Sequence, residues 1–211
     1  DSSEDDDDDN DSIKDEDDNC RFGDLGWNSN SDTDYDTDGC RDSTEDTDDD
    51  NDYIPDLEDD CQKGEIGWSS TDLNDYDSDG CNDATEDDDD DDDDIPDHND
   101  DCERGDLGWI STLDTDYDMD GCNDDKEDLD DDNDDVLDSV DLCQTGTLGW
   151  SSMDTNDYDS DGCNDETEDL DDDNDDVLDS VDLCQTGTLG WSSTDTNDYD
   201  SDGCNDLTED N

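Results

Sequence analysis

The sequence predicts an elongated, irregular tandem-repeat array with a 41-residue period and little regular secondary structure. Three observations predict it: too few apolar residues for a core, ten regularly spaced cysteines, and acidic residues held in one register.

Of 211 residues, 85 are Asp or Glu and only 6 are Lys or Arg, for a formal net charge of -79. Leu, Ile, Val and Phe together number 24. Burial of so little apolar surface cannot offset chain entropy, so composition alone would mark disorder and excludes a single ordinary domain. The charge repels phosphate, which excludes nucleic acid and anionic lipid as direct partners, and no apolar run is long enough for membrane insertion. Cations are the natural partners. Lys and Arg are too few to neutralise the chain, which leaves divalent metal.

The acidic residues are not scattered. Cys20, Cys61, Cys102, Cys143 and Cys184 are each 41 residues apart, as are Cys40, Cys81, Cys122, Cys163 and Cys204. Trp27, Trp68, Trp109, Trp150 and Trp191 keep the same step, and so do Tyr35, Tyr76, Tyr117, Tyr158 and Tyr199. Residues 143–169 and 184–210 differ only at Met153 against Thr194 and Glu166 against Leu207. The expected organisation is a partial repeat over 1–19, full repeats over 20–60, 61–101, 102–142 and 143–183, and a partial repeat over 184–211. Asp1–Asp5 (DSSED) has the phase of Asp206–Asp210 (DLTED), so the chain opens and closes inside the period. With no initiator Met, leader or atypical cap, this suggests a mature or excised stretch of a longer array, or a subunit that continues head-to-tail into the next.

An even number of cysteines in a core-poor chain reads as a disulfide framework in an oxidising, extracellular or cell-surface setting. Zinc would call for a close Cys pair or His partners, whereas the cysteines stand 20 or 21 apart and His98 is the only histidine. Two local pairings are open. Pairing across the acidic half would leave Cys20 and Cys204 alone; pairing within the Trp-containing half (20–40, 61–81, 102–122, 143–163, 184–204) uses every cysteine and is expected here.

Each period has a Gly-, Ser- and Thr-rich half, such as 143–156, and an acidic half, such as 157–183. Neither shows a helical or strand period, so turns, loops, very short strands or single helical turns are expected. The acidic half carries the chemistry. Asp157, Asp159, Asp161, Gly162, Cys163, Asp165 and Glu168 occupy positions 1, 3, 5, 6, 7, 9 and 12 of an EF-hand-type calcium loop. Carboxylates at 1, 3 and 5 turn inward, Gly at 6 makes the turn, the carbonyl of 7 faces the ion, and the acid at 12 closes the shell. The set recurs as Asp34, Asp36, Asp38, Cys40, Asp42 and Glu45; as Asp75, Asp77, Asp79, Cys81, Asp83 and Glu86; as Asp116, Asp118, Asp120, Cys122, Asp124 and Glu127; and as Asp198, Asp200, Asp202, Cys204, Asp206 and Glu209.

A second loop follows in each period: Asp171, Asp173, Asp175, Val177, Asp179 and Asp182. Its counterparts are Asp7, Asp9, Asp11, Ile13, Asp15 and Asp18; Asp48, Asp50, Asp52, Ile54, Asp56 and Asp59; Asp89, Asp91, Asp93, Ile95, Asp97 and Asp100; and Asp130, Asp132, Asp134, Val136, Asp138 and Asp141. Position 6 is Ser12, Tyr53, Asp94, Asp135 or Asp176 rather than Gly, so this loop is expected to turn less tightly. The Ile or Val at position 7 is expected to join a small apolar cluster. About two Ca2+ per period would supply what the apolar core lacks, and the charge that ten ions leave uncompensated calls for bridging carboxylates and further ions between loops. Free calcium at roughly 100 to 1,000 times the dissociation constant stabilises a folded state by about 3 to 4 kcal/mol per site.

The Asp-x-Asp-x-Asp-Gly-Cys-x-Asp motif at 157–165 and the Asp-Asp-Asp-Asn-Asp run at 171–175 resemble thrombospondin type 3 repeats, including those of bacterial and archaeal surface proteins. The resemblance covers the acidic half of every period and implies calcium-dependent folding, an extracellular setting and roles in adhesion or matrix structure. The Gly-x-x-Gly-Trp half and the Gly-less second loop depart from it.

These readings converge on a calcium-binding structural repeat protein that self-associates into an extracellular filament or surface stalk. Trp is expected to pack on the disulfide, Tyr and Leu as a mini-core. The competing readings are an adhesin with exposed Trp faces toward glycans or protein, and a calcium buffer or mineral-nucleating protein. Ser151, Ser152 and Thr155 are candidate O-glycan carriers, and Asn10-Asp11-Ser12 is an N-glycan sequon within a loop. Periodic carboxylates define no unique catalytic centre, and no enzyme activity is expected.

Overall fold

The structure is a computed structural model describing residues 6–209; the matching phase of Asp1–Asp5 and Asp206–Asp210 rests partly on residues outside that range. By its internal contacts the chain forms two compact units, Asp1–Trp109 and Ile110–Asn211.

Turns and bends make up both units. Among the described residues the one regular element is a 3₁₀ turn at Asp97–Asn99, and no strand forms. Asp is a poor helix and strand former because its short carboxylate competes for nearby backbone amides. That competition builds this fold. Asp34 Oδ1 and Oδ2 accept the amides of Asp38 (3.1 Å) and Gly39 (3.2 Å), Asp38 Oδ1 accepts that of Cys40 (2.8 Å), and Asp52 Oδ1 accepts that of Ile54 (2.7 Å). A single helical turn follows the first loop, where the amides of Thr44, Glu45 and Asp46 all reach the Arg41 carbonyl.

The second loop turns as tightly as the first, against the expectation from its missing glycine. Gly39 and Gly162 have φ of 90° and 87°; Ser12, Tyr53, Asp135 and Asp176 at the same position have φ of 88°, 83°, 75° and 75°. The cause is the carboxylate at position 1. Asp48 Oδ2 holds the Tyr53 amide (3.2 Å) and Asp171 Oδ2 the Asp176 amide (3.0 Å), as Asp34 holds that of Gly39. Gly in the first loop answers a second demand. The side chain of Asp18, Asp59, Asp141 or Asp182, from position 12 of the preceding loop, packs where a Cβ on Gly39, Gly80, Gly162 or Gly203 would stand.

Successive periods are tied by backbone and side chain. The amides of Asn19, Asp60, Leu142 and Leu183 donate to the carbonyls of Asp38, Asp79, Asp161 and Asp202, each at 2.8 Å. Tyr35, Tyr76, Tyr117 and Tyr158 donate their hydroxyls to the carbonyls of Gly64, Gly105, Gly146 and Gly187 at 2.7–2.9 Å. Disulfides join Cys20–Cys40, Cys61–Cys81, Cys143–Cys163 and Cys184–Cys204, and no cysteine is free. Each closes a loop of about 20 residues, worth roughly 3 kcal/mol in the chain-entropy picture.

The interior is inverted. The largest side chains wholly withdrawn from solvent are all aspartates, among them Asp34, Asp52, Asp134 and Asp157. Among the described residues the buried apolar side chains are Trp27 and Cys40, Cys81, Cys122, Cys163 and Cys204. The other four Trp are half-buried, and so are Ile13, Ile54, Ile95, Val136 and Val177. Leu does not join the mini-core expected of it: Leu25 is 76% exposed and Leu57 98%. With carboxylates converging on the middle of each loop, aliphatic side chains are left on the outside.

The two kinds of position 6 should respond oppositely. Gly162→Ala meets both the left-handed backbone and Asp141, and should cost at least about 1 kcal/mol. Asp176→Gly relieves the same backbone at an exposed position and should add about 0.5–1 kcal/mol. Urea denaturation of both variants in calcium measures the difference.

Candidate metal centres

Both kinds of loop gather their carboxylates at positions 1, 3 and 5. Ligand oxygens of Asp7, Asp9 and Asp11, of Asp34, Asp36 and Asp38, of Asp48, Asp50 and Asp52, and of Asp75, Asp77 and Asp79 lie within 4.8 Å of one another. In several of these aspartates the two oxygens divide the work. In Asp11, Asp52, Asp134 and Asp175, Oδ1 accepts the amide two residues on, at 2.7 Å. Oδ2 of the same residues is buried and accepts nothing. Asp18, Asp59, Asp141 and Asp182 at position 12 repeat the arrangement: Oδ1 takes the following cysteine's amide at 2.5–2.7 Å, and Oδ2 is bare. A buried carboxylate oxygen without a donor is costly, and a single second loop holds more than one, as at Asp52 Oδ2 with Asp59 Oδ2 and at Asp134 Oδ2 with Asp141 Oδ2. The donors are all oxygen, irregularly disposed and carried on short loops. That set suits calcium better than the strict octahedron of magnesium, and these clusters could hold metal ions.

Positions 12 and 9 of the first loop make contacts elsewhere. The glutamate at position 12 of the first loop turns toward the Gly-rich half. A Cβ on Gly64 would stand 2.9 Å from both Glu86 oxygens and 3.0 Å from Asp50 Oδ2; at Gly146, Asp132 Oδ2 and Glu168 Oε2 would each be 2.7 Å away. The same glycines donate their amides to position 3 of the second loop, Gly64 to Asp50 Oδ2 (2.7 Å) and Gly187 to Asp173 Oδ2 (2.7 Å). The Gly-x-x-Gly-Trp half thus supplies the floor on which a first-loop glutamate meets a second-loop aspartate. Position 9 also turns aside: Asp42 accepts the Tyr35 amide (3.0 Å) and lies with Asp46 and Asp49 in a third cluster within 4.8 Å.

Asp46, Asp49 and their counterparts lie outside both loop patterns. Their signal in the sequence is register alone, since Asp recurs at 46, 87, 128 and 169 and at 8, 49, 90, 131 and 172. Asn51, Asn133 and Asn174, at position 4 of the second loop, are the other residues missed. Their amides donate to Asp36 and Asp38, to Asp118 and Asp120, and to Asp159 and Asp161. Asp92 holds that place in one period and puts a carboxylate beside Asp77 and Asp79 instead.

Crowding shows in the protonation equilibria. Burial, reinforced by Asp38 and Asp36, pushes Asp46 up to about 7. Burial, then Asp50, Asp52 and Asp79, does the same to Asp59. Asp52 rises to about 6 and Asp159 to about 7, again chiefly through burial. Among the described residues no helix is long and apolar enough to cross a membrane. Comparison with protein-family models and with curated proteins yields no match.

These shifts fix the sign of the metal-free pH response. Folded, Asp46 and Asp59 hold their protons up to about pH 7; unfolded, they release them near 3.8. The metal-stripped fold therefore binds more protons than the unfolded chain across that window, and its stability should fall as pH rises from 4 to 7. Calcium competes with those protons, so in calcium the trend should reverse. Thermal melts followed by Trp near-UV circular dichroism at pH 5 and pH 8, with and without calcium, measure both slopes.

Proposed function

We propose that this chain is a calcium-binding structural repeat protein of the extracellular space, and that its arrays build a filament or surface stalk. The observation that carries the reading is the recurrence of buried aspartate oxygens without a donor in the second loops, such as those of Asp52 and Asp59 or of Asp134 and Asp141, in a chain with almost no apolar interior. Bound calcium neutralises them and substitutes for the missing core, while the disulfides confine the unfolded chain and favour an oxidising compartment. Sites along the chain then form a series in which each loop leans on the next, as Asp59 leans on Gly80 and Tyr35 on Gly64. Stiffness in such a series depends on metal occupancy, because most contacts run between neighbouring periods.

The likeness to thrombospondin type 3 repeats supports the same conclusion from the motif side. The half-buried or buried Trp side chains favour a scaffold over an adhesin with five open aromatic faces. A buffer or mineral nucleator would have no use for the tight inter-loop packing at Gly39 or Gly162. We assign no enzymatic activity.

Stripping the metal at pH 8 should abolish the near-UV dichroism of Trp and expand the chain hydrodynamically. Calcium should restore both in one cooperative transition, with magnesium far less effective. Electron microscopy of the native material should show fibres that loosen in chelator. A metal-free chain that kept its dichroism and hydrodynamic radius would defeat the proposal.

A further inference from the structure

We propose that a third cation site recurs with the period, built from Asp42, Asp46 and Asp49 and from their counterparts at 83, 87 and 90, at 124, 128 and 131 and at 165, 169 and 172, and that a basic side chain and a divalent ion are its alternative occupants. The inference rests on the reading of the chain as a metal binder, but concerns residues outside the two loop centres.

The cluster is more than an acidic patch. Asp49 and Asp90 are only 6% and 5% exposed, and in each Oδ1 is buried and accepts no hydrogen bond. Asp46 Oδ2 and Asp87 Oδ2 are buried and bare in the same way. The ligand oxygens of Asp42, Asp46 and Asp49 lie within 4.8 Å of each other, a spacing that one ion can span.

The chain itself places a cation there in some periods. Lys63 Nζ bridges Asp42 and Asp49, the latter at 3.3 Å. Arg104, in register with Lys63, bridges Asp83 (2.5 Å) and Asp90 (2.9 Å). Arg21, one place earlier in the period, reaches Asp8 (2.9 Å), the counterpart of Asp49, together with Asp15 (2.8 Å), which belongs to the neighbouring loop. These basic side chains are about two-fifths exposed and engage Oδ2 alone, so the bare Oδ1 of Asp49 and Asp90 remains unanswered.

In the following two periods the register position is Thr145 and Thr186. The carboxylates are retained as Asp124, Asp128 and Asp131 and as Asp165, Asp169 and Asp172, and Asp128 Oδ2, Asp131 Oδ1, Asp169 Oδ2 and Asp172 Oδ1 are again buried and bare. Threonine carries no charge. Where it stands, that register position supplies no counter-charge, and these two sites bind a divalent ion more tightly than those guarded by Lys63 and Arg104.

The experiment counts calcium ions retained per chain, by equilibrium dialysis against limiting free calcium with elemental analysis. Thr145→Lys with Thr186→Lys should lose one ion per substituted position. Lys63→Thr with Arg104→Thr should gain one per position. Near-UV dichroism confirms that each variant is folded, and the gain-of-ion variant stands as an independent test if the lysine variant does not fold. An unchanged count in the folded variants overturns the third site and leaves the loop sites intact. A wild-type chain that retains no calcium overturns both this inference and the proposed function.

Discussion

Like-charge crowding governs this molecule. Three carboxylate oxygens within 4.8 Å form each cluster. At an effective dielectric constant of about 20, two unit charges that far apart repel by roughly 3.5 kcal/mol, so one fully ionised triad stores about 10 kcal/mol. That matches the whole net stability of a typical domain, and the triads recur along the chain. No packing of 24 scattered aliphatic and phenyl side chains could absorb it. Protons relieve it in part, as the raised affinities of Asp46 and Asp59 show; a divalent ion at the centre turns the repulsion into attraction. The fold is best understood as a container shaped for charge, with the apolar residues displaced outward.

Connection between containers follows from the same economy. Asp59 ends one loop, yet its carboxylate lies on Gly80 of the next, while its Oδ1 holds the amide of Cys61, which is bonded to Cys81. One aspartate therefore joins a candidate metal centre, the turn of the following loop and a disulfide. Tyr35 adds a hydroxyl donated 29 residues ahead to the Gly64 carbonyl, beside the amide that binds Asp50. Loss of order at one centre is transmitted to its neighbour through these shared residues. This is the structural meaning of strict register: an insertion of one residue would detach position 12 from the glycine it rests on.

Much of this was legible in the sequence. The period and the irregular class follow from spacing and composition, and the disulfide register at Cys20–Cys40 or Cys143–Cys163 from the one local pairing that uses every cysteine. The convergence of positions 1, 3 and 5 followed from loop geometry. What escaped depends on contacts between loops. The EF-hand template sends Glu86 back to its own loop, but the chain carries it toward Gly64 and Asp50, and no pattern within twelve residues can announce that. The template also reads the absence of Gly at 176 as a looser turn, whereas the Asp171 carboxylate holds the left-handed backbone regardless. Asp46 and Asp49 belong to no familiar motif. They stand out once Lys63 is seen between Asp49 and Asp42.

The dominance of Asp over Glu in the loops has a geometric cause. The carboxylate of Asp52 reaches the amide of Ile54, two residues on, at 2.7 Å, and still presents its second oxygen to the loop centre. A glutamate has one more methylene and another rotatable bond. It overshoots the amide at that separation and loses more rotamer entropy when fixed. The longer acid appears where reach is needed, at Glu45 and Glu86, whose oxygens must cross to Gly23 and Gly64 in the other half of the period. Short acids thus shape each loop while they line it, and long acids bridge between loops. A chain that uses one functional group both to fold its backbone and to present ligands needs few other residue types, which is why so extreme a composition can still specify a structure.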